Sequence, residues 1–126
     1  MKLLALLILL LPFQLSSQEM FFCEAVDKSG NAKNAGKEFT IGSGGGFIKI
    51  LLKLNKEVGS NNVIYDVYKV DNGKEFYNNT IRMDINPALT WFYKEITFFK
   101  GGEYRVYIYD ERDKLIGLGE VKINIR

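Results

Sequence analysis

The sequence predicts an all-β domain, a sandwich or barrel of short strands, on three observations. Apolar residues recur with period two. Between residues 103 and 109, Tyr104, Val106 and Ile108 fall on one face and Glu103, Arg105, Tyr107 and Tyr109 on the other, as in a half-buried strand. Turn residues, Asn72-Gly73 and Gly101-Gly102 among them, separate such runs at short intervals. No heptad, helical stripe or repeat interrupts the series, so essentially no α-helix is expected after the first residues.

Length and composition bound the rest. A chain of 126 residues is one domain with one core, and 47% hydrophobic with 25% charged residues is the composition of a folding chain. Met1 to Ser17 reads as a cleaved export signal: Lys2 as a minimal basic start, an apolar run from Leu3 to Phe13, and Ser16-Ser17 before a cut at Gln18. The expected organisation is residues 1–17 as signal and 18–126 as the domain, secreted, periplasmic or at the cell surface. The apolar run is about half the ~20 residues that a membrane helix needs, and Pro12 and Gln14 interrupt it, so no membrane span is expected after cleavage. Phe22 and Met20 are the wrong residues before a lipid-bearing cysteine, so Cys23 is expected as a buried free thiol in the first strand.

The net charge of +2 includes Lys2, and nothing in it steers the protein to nucleic acid or an anionic membrane. Histidine is absent and Cys23 is the single cysteine. Serine–histidine and cysteine–histidine catalysis and a cysteine-rich zinc site within one chain are thereby excluded, and no cofactor is expected.

In chain order, Met20–Val26 is an edge strand and Asp27–Lys37, rich in Lys, Asn, Ser and Gly, a polar loop. Glu38–Ile41 is a second edge segment. Gly42-Ser43-Gly44-Gly45-Gly46 lacks the Lys-Ser/Thr pair and the following helix of a phosphate loop, and reads as a bend between strands. Phe47–Leu54 sets Ile48, Ile50, Leu52 and Leu54 against Lys49 and Lys53. Val63–Val70, apolar on both faces, reads as a central strand buried from two sides. Asn72-Gly73 suits a type I′ turn and so predicts a hairpin returning through Glu75–Asp84. That strand contains Asn78-Asn79-Thr80, a glycosylation acceptor pattern. Asn86-Pro87 marks a loop, Trp91–Phe99 an aromatic strand, and Asp110–Lys114 a turn into a last strand where Val121, Ile123 and Ile125 alternate with Glu120, Lys122 and Asn124.

Gly101-Gly102-Glu103-Tyr104 resembles the corner before the penultimate strand of immunoglobulin-like, fibronectin type III and polycystic-kidney-disease-type sandwiches. The resemblance covers residues 47–125 and implies an antiparallel immunoglobulin-like sandwich of seven or eight strands. It also implies that Tyr104 bonds back to the backbone. The paired cysteines of antibody domains are missing, which leaves the architecture alone.

Asp110, Glu111 and Asp113 share one turn and could hold calcium if another loop added oxygen ligands; a solvated turn explains them as well. Trp91, Tyr93, Tyr107 and Tyr109 could form an aromatic platform, or could pair across strands to stabilise the sheet. Strand alternation groups the loops at 55–62, 84–90 and 110–113 on one rim. The candidate partner-binding residues are therefore Trp91, Tyr107, Tyr109, Asp110 and Asp113, with the longer rim beside Trp91 as the functional end. The expected function is a non-catalytic binding or adhesion module for a protein or carbohydrate partner. A proteinase-inhibitor-like sandwich and an accessory subunit that pairs through an edge strand are the alternatives.

Overall fold

A computed structural model describes residues 18–126, so the expected signal at 1–17 lies outside the described residues. The described residues are all-β, with ten strands: β1 (Glu19–Cys23), β2 (Ala25–Val26), β3 (Ala32–Lys33), β4 (Glu38–Ile41), β5 (Gly46–Lys53), β6 (Asn62–Asp71), β7 (Lys74–Asp84), β8 (Trp91–Phe98), β9 (Gly102–Asp110) and β10 (Leu115–Ile125). One sheet has the order β1-β5-β8, a second the order β4-β10-β9-β6-β7, and β2 and β3 form a small ribbon. All pairings are antiparallel except β4 with β10, which run parallel, a departure from the purely antiparallel expectation.

The two larger sheets share one core, an arrangement consistent with a β-sandwich. Phe22, Ile48, Ile50 and Leu52 of the first sheet meet Val63, Tyr65, Val67, Val106, Ile108, Val121 and Ile123 of the second. The period-two alternation places these side chains inward, and burying each aliphatic or phenylalanine side chain among them is worth about 1.5–3 kcal/mol. Tyr104, also buried, donates its hydroxyl to the Lys100 carbonyl at 2.8 Å, the bond that the Gly-Gly-Glu-Tyr corner implies. Asn72 and Gly73 take φ of 53° and 78°, the positive values of the expected hairpin turn.

Two expectations need correction. The strand read as Met20–Val26 breaks at Glu24, and the supposed polar loop after it contains β3, so residues 25–33 form a hairpin. That hairpin lies against the outer side of the first sheet, where its turn glycine, Gly30, abuts the Trp91 ring. Two-residue strands are too short to leave a periodic signal. Second, β6 is not buried from two sides. Val63, Tyr65 and Val67 are fully buried, but Ile64, Asp66 and Tyr68 lie half-exposed on an outer face that no third layer covers among the described residues.

Candidate functional site

The outer face of the five-stranded sheet gathers the side chains with most to offer a partner. Strand β9 presents Arg105, Tyr107 and Tyr109 outward because Tyr104, Val106 and Ile108 take the core side. The register then builds rows across the sheet. Glu120, Arg105, Tyr68 and Tyr77 lie side by side on β10, β9, β6 and β7; in the next row stand Leu118, Tyr107, Asp66 and Thr80. The tyrosines form a continuous strip. Tyr68 meets Tyr77 edge to face at 5.9 Å between ring centres and Tyr107 at 5.5 Å, and Tyr107 runs parallel to Tyr109 at 6.3 Å. Tyr77 is 63% exposed, at the sheet's edge.

Polar groups stitch the strip together. Oε2 of Glu75 accepts from both the Tyr107 hydroxyl and the Arg105 guanidinium, and Arg105 also donates to Glu120 Oε2 at 2.6 Å. Thr80 donates to Asp66 Oδ1 at 2.7 Å, so the Tyr77 hydroxyl 2.8 Å away is the donor to Thr80. The hydrogen bond from Tyr107, aided by Arg105, holds the Glu75 carboxyl below the usual carboxylate range. The same carboxylate pushes Tyr107 and Arg105 upward, so at neutral pH a charged carboxylate sits between a protonated phenol and a guanidinium. Burial, and behind it the charge of Asp66, raises Tyr109.

The sequence-derived candidates fall in three places. Tyr107 and Tyr109 belong to this face. Trp91 is on the outer side of the other sheet, with its ring so close to Gly30 that a Cβ there would stand 2.6 Å from Cδ2. Asp110 is buried at the rim and accepts the backbone N–H groups of Arg112 at 2.8 Å and Lys114 at 3.0 Å, which fastens the turn in which Asp113 takes φ of 64°. No group of three acidic, cysteine or histidine side chains close enough to hold a metal occurs among the described residues. The three loops do share one rim, as expected. The Val58 and Gly59 N–H groups donate to the Leu89 and Pro87 carbonyls at 2.8 and 2.9 Å, and Ser60 Oγ accepts from the Glu111 N–H at 2.9 Å.

Sequence reading missed Tyr68, Tyr77, Glu75 and Arg105. A signal for the first two existed. A two-residue turn at Asn72-Gly73 pairs Asp71 with Lys74, and counting outward from it sets Tyr68 opposite Tyr77, which is the observed register. No protein-family model matches the chain, and no curated protein matches it significantly.

Proposed function

We propose that this chain is an exported, non-catalytic binding module of the immunoglobulin-like class, and that it engages a protein partner through the tyrosine face of its five-stranded sheet. The strand order and the Tyr104 bond to the Lys100 carbonyl support the class. The observation that carries the function is the strip of Tyr68, Tyr77, Tyr107 and Tyr109, framed by Glu75, Arg105 and Glu120 on one uncovered sheet face. Tyrosine and arginine are enriched among the residues that dominate protein interfaces: tyrosine contributes large contact area at low entropic cost, and arginine directed, charge-assisted hydrogen bonds. Their mutual hydrogen bonds hold the side chains in place before a partner arrives.

Carbohydrate is the second reading, favoured by the same rings. Edge-to-face packing favours protein, since it turns ring faces toward neighbouring rings and leaves fewer of them open for a sugar to stack on. The test is capture from the source's extracellular fraction by residues 18–126, followed by affinity measurement with the protein captured. The expected result is loss of binding in a Tyr68→Ala/Tyr107→Ala variant of unchanged circular dichroism, with binding retained on Asp113→Ala. Retention by the tyrosine variant and loss on Asp113→Ala would transfer the function to the loop rim. Retardation by soluble polysaccharides in affinity electrophoresis, abolished by the tyrosine variant, would establish the carbohydrate reading.

A further inference from the structure

Strand β7 is the last strand of its sheet, 11 residues long, and its outer edge pairs with no other strand among the described residues. Residues 74–80 are exposed throughout, including Phe76 at 54% and Tyr77 at 63%. Long open edges are normally guarded, because their unpaired N–H and C=O groups will accept another strand. Here the charges on the edge do not guard it against its own copy; they alternate in sign, with Lys74, Glu75, Arg82 and Asp84 summing to zero.

A bulge between Val67 and Tyr68 of β6 leaves Asn78 of β7 without an opposite residue, so Tyr77 and Thr80 face outward while Phe76 and Ile81 face the core side. Two β7 strands related by a two-fold axis normal to the sheet must pair outward residues with outward ones. With Asn79 on the axis and the bulge residue Asn78 of each copy left out of the ladder, Glu75 meets Arg82, Phe76 meets Ile81 and Tyr77 meets Thr80, each contact occurring twice. A shift of two residues in one direction sets Glu75 against Asp84, like against like. A shift in the other leaves Arg82 opposite the turn. Glu75 has an oxygen free for this contact, since Arg105 and Tyr107 both bond Oε2 and no hydrogen bond or ion pair reaches Oε1 among the described residues.

We infer that a second copy of this chain pairs antiparallel with β7 about Asn79, joining two five-stranded sheets into one of ten strands. The two-fold axis keeps both tyrosine strips on the same side, so the dimer presents a doubled face. The pairing itself does not depend on what that face binds.

Register-specific cross-linking is the test, on residues 18–126 under mild oxidation. Asn79→Cys lies opposite itself and is expected to give a disulfide-linked dimer rapidly, because directly opposed strand residues have the Cα separation a disulfide needs. Asp84→Cys, in the same strand but away from the axis, is expected to stay monomeric over that time. Analytical ultracentrifugation of the unmodified chain should show a reversible dimer. Arg82→Glu should weaken it by about tenfold or more, since two attractive pairs become two repulsive ones. Among the described residues the Arg82 side chain hydrogen-bonds only Asn62 Oδ1, at 3.3 Å, so the fold should survive that change. A monomer at millimolar concentration, or equal cross-linking of the two cysteine variants, would overturn the inference.

Discussion

The two flanks of this molecule are built in opposite ways. On one, the chain itself bridges the sheets: β1 pairs with β5, the following segment crosses over, and β4 pairs with β10. Gly36 bridges to Phe22 on the way, and the Lys37 carbonyl accepts from the Lys122 N–H at 2.8 Å. On the other flank β7 and β8 each end a sheet, and between them lie the exposed rings of Phe76 and Phe99. The closed flank depends on missing side chains. A Cβ on Gly119 would stand 2.6 Å from the Met20 sulfur and 2.9 Å from the Phe22 ring. The open flank instead carries large side chains that touch little, so changes there should alter association rather than stability.

The sharpest way to break this contrast is at the hairpin over the first sheet. Gly30 combines φ of 83° with the Trp91 ring at 2.6 Å from any Cβ, so Gly30→Val is expected to lower unfolding free energy by about 3 kcal/mol in urea titration. If it is silent, Trp91 is free to serve as a binding residue. Gly119→Val, which wedges apart β1 and β10, should cost about 2 kcal/mol. The same measurement on Phe76→Ser, on the open flank, should stay within about 0.5 kcal/mol of the parent.

A smaller effect belongs to acid pH. The Glu75 carboxyl is depressed in the folded state by Tyr107 and Arg105, below its ordinary 4.5. Its stabilising contribution is therefore present above the unfolded value and lost as pH falls through the folded one. The difference in urea midpoint between the parent and Glu75→Gln should accordingly be constant from pH 7 to about 5 and shrink below that. A difference that does not change with pH would mean that the carboxylate is not held by those two groups.

How much of this was legible in the sequence depends on the range of the signal. Local alternation located β5, β9 and β10, because each is long enough to show its period, while a run apolar on both faces located β6 and an aromatic run located β8. The Asn72-Gly73 dipeptide located the hairpin, and the three-loop rim followed from strand direction alone. The parallel β4–β10 pairing and the β2–β3 hairpin left no trace, since both are short and fixed by tertiary contact. Of the candidate residues, Tyr107 and Tyr109 were legible as outward-facing. That they stand beside Tyr68 requires the β6–β9 register, which joins segments some 40 residues apart and which no local pattern encodes. Asp110 was read as a turn carboxylate; that it is buried and bonded to two backbone amides follows from the loops packed around it.

Hydrogen exchange measured on dilute and concentrated protein compares the two flanks in a single experiment. With residues 18–126 at both concentrations, amides in 74–84 are expected to gain protection on concentration, while those in 19–41 exchange equally in the two samples. Protection gained in 19–41, or unchanged exchange along β7, would contradict an open flank built to meet a second copy.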